Sequence, residues 1–432
     1  MIYRMMPKVR LFEGRGANMN SLGSIASQIA APVTMLALAW LVTPAAAQHL
    51  DLDTSASIMG CGTATNIGHA NTAPLYVDGF PCISSTNPIP NIAYTNVKIC
   101  APGNKANCQV IDHVQIDTGS VGLRIASSAV NSSLLQAMPY VPTSGLQILT
   151  NCVVFGSLNS LYGPVSLYGP VQTADVYIAD KFARNVPLQI FGQNLTPPHG
   201  CGSTFSPPQG VSQFGANGLL GVALGLSAPE TFYSCNNDGS SCEPDPSTTT
   251  PNLVSKFQND NNGVTIALNA VPSSAAVPVQ GFLILGVGTQ ADNTPPEGTV
   301  PLQADPSSGR INLHIGNTTV PALIDSGTSL LLINDPSLSP SDTVRLGLSS
   351  YNATTPAYTV DFTVGDADTL MNNAVIAYHA AADEGVGLSI LGLPLFFGRT
   401  MYFVFDGQQS PLGTGPINAM WPQPQTQISK NP

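Results

Sequence analysis

Two short segments of the chain combine an aspartate with hydroxyl residues and a glycine, and each follows apolar, strand-like residues. They read Asp117-Thr118-Gly119-Ser120 and Asp325-Ser326-Gly327-Thr328. A carboxylate at the end of a buried strand is costly unless something pairs with it. Two such carboxylates, one in each half of the chain, are therefore expected to meet. Two carboxylates about 3 Å apart cannot both be ionised without a large cost in free energy, so they share a proton, and one acts as a base and the other as an acid.

Both halves of the chain repeat the same order of elements around these aspartates. A strand leads into each Asp segment, further strands follow, and an apolar pair ending in glycine comes later. These later segments are Leu219-Leu220-Gly221 and Ile390-Leu391-Gly392. Strand-like runs between Gly, Pro, Asn and Ser clusters dominate the whole chain. We therefore expect an all-β fold with few short helices, built from two related lobes.

Composition limits the classes of function. The chain has 432 residues, 43% of them hydrophobic and only 9% charged, which is enough for a large bilobal body. The net charge is −11 and the basic residues are scattered, so nucleic-acid binding is not expected. The six histidines show no metal-ligand spacing, and we expect neither a metal nor a cofactor.

The first 47 residues resemble an export signal. Four basic residues precede an apolar run over 32–42, and Ala45-Ala46-Ala47 matches a small-residue cleavage site. Translation from Met19 instead of Met1 would leave a signal without charged residues. A membrane anchor is the alternative, but the apolar run is short for a span. We predict a signal peptide over 1–47, a periplasmic or extracellular location, and no membrane span after cleavage.

Eight cysteines follow the leader, and an even number in an exported chain indicates disulfides. Two pairs lie close in sequence around turn-rich spacers, which predicts local disulfides Cys100–Cys108 and Cys235–Cys242. The sequence does not assign partners to the other four, which are Cys61, Cys82, Cys152 and Cys201.

The domain boundaries follow from these patterns. Residues 48–91 are polar and rich in turn formers and are interpreted as an N-terminal extension. An N-terminal lobe is expected over 92–260, a C-terminal lobe over 261–421, and a loose tail over 422–432.

A direct repeat of Ser-Leu-Tyr-Gly-Pro-Val occupies 160–165 and 166–171. It lies between two strand-like runs, and its Gly-Pro steps favour turns and disfavour ladder pairing. The pattern predicts an elongated tip of a β-hairpin instead of longer paired strands.

These segments together, with Phe403-Val404-Phe405-Asp406 after the last of them, resemble the pepsin-like aspartic proteases over about residues 92–418. The run Ile111-Asp112-His113-Val114 and the following Gly122-Leu123-Arg124 are also similar to an uncharacterised family of exported bacterial proteins within that superfamily. The resemblance implies two β-barrel-like lobes with pseudo-twofold symmetry, a central cleft, and one catalytic aspartate from each lobe.

The resemblance also assigns roles within the catalytic loops, whose tight turns contain Gly119 and Gly327. Thr118 and Ser326 would each hydrogen-bond the opposite loop, and Ser120 and Thr328 would bond the outer oxygens of the aspartates. The Leu-Leu-Gly and Ile-Leu-Gly segments would pass beside these loops.

The chain departs from the family pattern near the expected flap, the hairpin that covers the cleft. Arg124 occupies the place of an aromatic residue, and Phe155 ends the strand-like run Val153-Val154-Phe155 where the family usually has tyrosine. Tyr162 and Tyr168 are therefore the flap tyrosine candidates, and Arg124 and Phe155 are further cleft candidates.

Two hypotheses about function follow. The first is an exported aspartic endopeptidase that acts as a monomer on peptides or proteins. The second is a non-catalytic binding or assembly protein of the cell envelope with the same fold. A structural role for both Asp-x-Gly turns is the remaining alternative, since Asp and Gly favour turns.

Overall fold

The computed structural model describes residues 65–79, 89–143, 148–155, 165–193, 215–228, 231–246, 249–271, 273–275, 278–335, 337–372, 375–383 and 388–422. The predicted signal peptide, Tyr162 and the tail beyond Pro422 lie outside these residues. Strands dominate the described chain, and the two α-helices are short: α1 (Ser132–Ala137) and α2 (Ala367–Asn372). Asn131 begins α1, because its side chain accepts a hydrogen bond from the Leu134 N–H at 2.8 Å.

The strands of the N-terminal half are β1 (Thr72–Val77), β2 (Tyr94–Cys100), β3 (Cys108–Asp117), β4 (Val121–Ala126), β5 (Ile148–Phe155), β6 (Val165–Ile178), β7 (Lys181–Phe191), β8 (Gly218–Val222), β9 (Thr231–Cys235) and β10 (Cys242–Pro244). Six of them follow one another in the order β2-β3-β8-β4-β7-β6, and β6 pairs again with β2. The pairing therefore closes into a ring, which forms the barrel of the first lobe. Strands β5, β9 and β10 extend it from β6.

The strands of the C-terminal half are β11 (Gly263–Leu268), β12 (Ser274–Ala275), β13 (Val279–Leu285), β14 (Val300–Gln303), β15 (Ile311–Ile315), β16 (Thr318–Ile324), β17 (Leu331–Ile333), β18 (Thr343–Ser349), β19 (Tyr358–Gly365), β20 (Ala377–Tyr378), β21 (Ala381–Asp383), β22 (Ser389–Leu391), β23 (Arg399–Val404), β24 (Gln409–Ser410), β25 (Gly413–Thr414) and β26 (Ile417–Pro422). Seven of them form a closed barrel in the order β15-β16-β22-β17-β21-β19-β18.

A sheet connects the two lobes. It continues from β2 through β1 in the order β1-β13-β11-β23-β26-β14, so the N-terminal strand β1 and the C-terminal strands β23 and β26 lie in one sheet. Strand β1 comes from the segment assigned above to the N-terminal extension, and it pairs with β13 from Thr72↔Ile284 to Val77↔Val279. This part of the segment therefore belongs to the folded body.

Alternation of side chains positions the core. In β19, Phe362 and Val364 are buried, while Thr359, Asp361 and Thr363 are exposed, as expected for a barrel strand with one face in water. Buried apolar side chains from both barrels and the connecting sheet form one continuous cluster. The predicted all-β fold with two barrel lobes is therefore confirmed.

Both predicted local disulfides are present. Cys100–Cys108 joins paired residues of β2 and β3, and Cys235–Cys242 joins paired residues of β9 and β10. Each closes a short turn between neighbouring strands. Cys152 is disulfide-bonded as well. Within the described residues no helix is long and apolar enough to cross a membrane.

The prediction for the repeated hexapeptide was wrong for its second copy. Residues 166–171 lie inside β6, where Val165–Pro170 pairs with β5 and the strand then pairs with β7 from Val171 onward. The Gly169-Pro170 step thus marks the point where β6 changes partner, a place where a missing N–H is tolerated. Most of the first copy lies outside the described residues.

Leu167, in the second copy, is fully buried (0% exposed). We expect Leu167→Ala to lower the free energy of unfolding by about 2–4 kcal/mol, because it removes buried methyl groups and leaves a cavity. Urea denaturation followed by circular dichroism would measure the change. Deletion of one copy is not an equivalent test, because removing either copy leaves the same sequence to form the strand.

Leu226→Ala is the matched control, because Leu226 is 39% exposed. Its effect should stay within about 0.5 kcal/mol. Equal effects of the two substitutions would show that the second copy is not packed into the lobe.

Candidate active site

Each aspartate motif follows a central strand of its own barrel. Strand β3 ends at Asp117, and β16 ends at Ile324, directly before Asp325. In the first lobe β8 runs parallel to β3 and antiparallel to β4, so it lies between the strands on either side of the Asp117 turn. In the second lobe β22 lies in the same way between β16 and β17. The Leu-Leu-Gly segment lies within the first of these inserted strands, β8, and Ile390-Leu391 ends the second, β22, directly before Gly392.

Hydroxyl side chains join the two turns across the lobes. The Thr118 hydroxyl donates to the carbonyl of Ile324 at 3.0 Å and accepts from the N–H of Ser326 at 2.9 Å. Reciprocally, the Ser326 hydroxyl donates to the carbonyl of Ile116 at 2.8 Å and accepts from the N–H of Thr118 at 3.1 Å. Both hydroxyl residues are buried. These four bonds, here called the cross-lobe grip, fix one turn against the other.

Each carboxylate is bonded by its own turn. The N–H of Gly119 donates to Asp117 Oδ1 at 2.8 Å, and the Ser120 hydroxyl donates to Asp117 Oδ2. In the second lobe the N–H of Gly327 donates to Asp325 Oδ1 at 2.8 Å. The Thr328 hydroxyl donates to Asp325 Oδ2, also at 2.8 Å. Equivalent atoms thus receive equivalent bonds in the two lobes.

The glycines of the two turns allow the carboxyl groups to approach. A Cβ atom on Gly119 would lie 2.7 Å from Asp325 Oδ2, which no real side chain permits. A Cβ atom on Gly327 would lie 2.6 Å from Asp117 Oδ1 and 3.1 Å from Asp325 Oδ1. The two Oδ1 atoms therefore face the same small space, into which only glycine fits.

The electrostatics of this pair favour one bound proton. Asp117 is 4% exposed and Asp325 is partly buried. Burial raises the pKa of Asp325 well above its ordinary value, and the negative charge of Asp117 and a hydrogen bond between the two carboxyl groups raise this pKa further. A hydrogen bond between carboxyl groups requires a proton on one of them, so the arrangement is suited to a singly protonated pair.

The flap and cleft candidates have different surroundings. Tyr168 lies in β6, is 6% exposed, and packs with Cys152, Tyr233 and Cys235. Arg124 is fully buried in β4, where its Nη1 donates to the carbonyl of Val121 at 2.9 Å. It therefore stabilises the chain just beyond the Asp117 turn.

Two further candidates are less fully described. Phe155 is the last residue of β5, and its side chain is outside the described part of the structure, as is the whole of Tyr162.

Two buried amides at the site were not predicted. Gln115, two residues before Asp117, donates from Nε2 to the carbonyl of Gly327 at 2.7 Å. Asn91 donates to the carbonyl of Ser329 at 3.0 Å. For Gln115, the signal in the sequence was a glutamine between Val114 and Ile116, with the alternation of a strand placing positions 115 and 117 on one face.

Among the described residues, no group of three or more His, Cys, Asp or Glu side chains is placed to bind a metal ion.

Comparisons with known proteins give a family and a similar solved structure. A family model described as "Protein of unknown function (DUF3443)" matches residues 68–420. No curated protein matches the chain significantly. One similar solved structure is described as "Crystal structure of aspartic proteinase from Irpex lacteus". It is 14% identical, with a TM-score of 0.46, and the match covers 83% of this chain and 99% of that one.

The cross-lobe grip should contribute measurably to stability. We expect Ser326→Ala to lower the free energy of unfolding by about 2–4 kcal/mol, because it leaves the Ile116 carbonyl and the Thr118 N–H without their buried partner. Ser133→Ala is a matched control, since the Ser133 hydroxyl is exposed and donates only to Asn131. The control should change stability by no more than about 0.5 kcal/mol in the same denaturation experiment. A small effect of Ser326→Ala would mean that water replaces the grip.

Proposed function

The chain belongs to the family DUF3443, and we propose that it is an exported aspartic endopeptidase. It hydrolyses peptide bonds with a water molecule activated between Asp117 and Asp325. Its substrates are peptides or proteins of the cell envelope or its surroundings. The alternative is a binding or assembly protein of the cell envelope that uses the same fold without catalysis.

One observation carries this proposal. Two carboxyl groups from different lobes, 208 positions apart in the chain, have Oδ1 atoms that face the same small space beside Gly327, and the charge of Asp117 raises the pKa of Asp325. A structural Asp-x-Gly turn needs only its own local hydrogen bonds and gives no reason for two acidic groups to meet away from water. Bringing two such groups together costs free energy, and proton transfer to and from a substrate is a function that uses the arrangement.

The chemistry follows from the shared proton. When one carboxylate of the pair is ionised, it accepts a proton from the water as the water oxygen attacks the carbonyl carbon of the scissile bond. The protonated partner donates a hydrogen bond to the carbonyl oxygen and stabilises the negative charge that develops there. When the tetrahedral intermediate collapses, the C–N bond breaks and the leaving nitrogen takes up the proton that the pair accepted from the water. The titration belongs to the pair, so neither role is permanently assigned to one residue.

The outer oxygens of the pair are oriented by the turns. Because Ser120 and Thr328 donate to the Oδ2 atoms, the carboxyl planes are fixed and the Oδ1 atoms remain directed toward the shared space. This pre-organisation reduces the reorganisation required during the reaction.

Export is part of the proposal. Disulfides persist in oxidising compartments, and Cys100–Cys108 and Cys235–Cys242 are both formed. The basic and apolar pattern of the first 47 residues supports the same location.

We expect Asp117→Asn and Asp325→Asn each to abolish cleavage while the fold is retained. Asparagine has nearly the shape of aspartate but cannot act as a base or share the proton. In the unmodified protein, activity should fall as pH rises through the upper apparent pKa of the pair, because both carboxylates are then ionised. Mass spectrometry of a digested peptide library at several pH values would measure both effects.

Asp361→Asn is a suitable control, since this aspartate is exposed and bonded to Arg345 on the surface, and it should cleave like the unmodified protein. Undiminished cleavage by Asp117→Asn or by Asp325→Asn would show that the substituted member of this aspartate pair, or dyad, takes no part in the mechanism. Absence of cleavage by the unmodified protein at every pH, together with binding of a pepstatin-type transition-state analogue, would favour the binding function.

A further inference from the structure

We propose that Gln115, from the first lobe, and Asn91, from the segment just before it, are positioning residues that fix the Asp325 turn and so set the separation of the two carboxyl groups. The catalytic consequence rests on the proposed function. The structural and electrostatic consequence does not, and it can be tested without any substrate.

Gln115 acts on the peptide group that closes the Asp325 turn. Its Nε2 donates to the carbonyl of Gly327 at 2.7 Å, and the side chain is only 5% exposed. The N–H of the same peptide group belongs to Thr328 and donates to the Asp325 carbonyl at 3.2 Å. This peptide group is thus bonded on one side to its own turn and on the other side to the first lobe.

Asn91 fixes the next part of the same turn. Its Nδ2 donates to the carbonyls of Ser329 at 3.0 Å and Tyr378 at 3.1 Å, and its Oδ1 accepts from the N–H of Tyr378 at 3.0 Å. Asn91 is fully buried and has φ of 53°, which asparagine tolerates better than most residues. Two amides from the N-terminal half of the chain therefore bond main-chain groups two and four residues after Asp325.

The two lobes are not equivalent in this respect. Gln115 and Leu323 occupy matching positions, each two residues before an aspartate and each on a strand paired in parallel with its inserted strand. Leucine has no polar hydrogen to donate, so position 323 cannot return to the Asp117 turn the bond that Gln115 gives to the Asp325 turn. Between positions 115 and 323, only Gln115 anchors the opposite aspartate turn through its side chain.

Loss of the anchor should change how strongly the carboxyl groups interact. Burial and the charge of Asp117 raise the pKa of Asp325, and Asp117 is the charged group that acts most strongly on it. If the Asp325 turn moves away or admits water, both effects weaken. The upper apparent pKa of the pair should then fall toward the ordinary range of an aspartate.

The first experiment measures this change without substrate. Melting temperature is recorded against pH for the unmodified protein and for Asp325→Asn, and the difference between the two curves reports on the dyad. A raised folded-state pKa means that the folded state binds more protons than the unfolded state. Stability therefore falls as pH rises from the unfolded pKa to the folded pKa.

The same two melting curves are then recorded for proteins that also carry Gln115→Leu. This substitution gives position 115 the leucine found at position 323. We expect the fall to end at a pH lower by roughly 0.5 unit or more, the size expected for a weakened charge–charge contact. Gln109→Leu is the matched control. Gln109 lies on the same strand and donates to the Ala129 carbonyl at 2.8 Å within its own lobe. The pH at which the fall in stability ends should therefore not change.

Two more variants keep the test decisive. If Gln115→Leu does not fold, Gln115→Met retains the length of the side chain without a donor and should give the same shift. Asn91→Gly removes the second anchor without straining the positive φ, and it should also lower the pH at which the fall in stability ends. If this pH is unchanged in a folded Gln115 variant, the proposal is overturned.

The second experiment uses activity. In a peptidase, Gln115→Leu should lower kcat by about tenfold with KM changed less than about twofold, because a misplaced catalytic group slows the chemical step more than it weakens binding. The highest pH at which cleavage is retained should fall together with the pH at which the fall in melting temperature ends. If the unmodified protein cleaves nothing, the proposed function fails, while the thermal experiment still decides the role of Gln115.

Discussion

The repulsion between the carboxylates of Asp117 and Asp325 is the constraint on which the rest of this structure depends. Asp117 and Asp325 lie at the ends of strands from separate barrels, where burial and like charge both disfavour double ionisation. The reciprocal bonds of Thr118 and Ser326 offset this free-energy cost, because each hydroxyl bonds one main-chain carbonyl and one main-chain N–H of the opposite lobe. With these bonds in place, one shared proton is the remaining way to relieve the repulsion.

The barrels deliver the same turn in different ways. The first ring has six strands and the second has seven, yet each places an inserted strand between the two strands that flank its aspartate turn. The inserted strand satisfies the main chain on both sides, so the turn can remain tight while the rest of the barrel varies. The geometry of the site therefore depends on only three strands per lobe, and β6 is able to take up the second copy of the hexapeptide repeat.

The sequence predicted the elements whose determinants are local. Two Asp-hydroxyl-Gly-hydroxyl segments in matched apolar settings identified both turns, and short turn-rich spacers identified Cys100–Cys108 and Cys235–Cys242. The second copy of the repeat was missed, because the turn propensity of Gly169-Pro170 is local while the change of partner along β6 depends on strands elsewhere in the chain. Gln115 was missed for the same reason, since its acceptor lies 212 residues away.

The anchoring of a single turn bears on the symmetry of the dyad. Within the two motifs the hydrogen bonds to the carboxylates are equivalent atom for atom, so the loops themselves give little basis for distinguishing the two acids. The difference arises one step earlier, in the strands, where glutamine stands at position 115 and leucine at position 323. A side chain that donates to the main chain of Gly327, and not to a carboxylate, can in this way decide which of the two turns is held more firmly. A change of the residue at position 115 would therefore alter the pKa of the pair while the sequences of both aspartate turns remain unchanged.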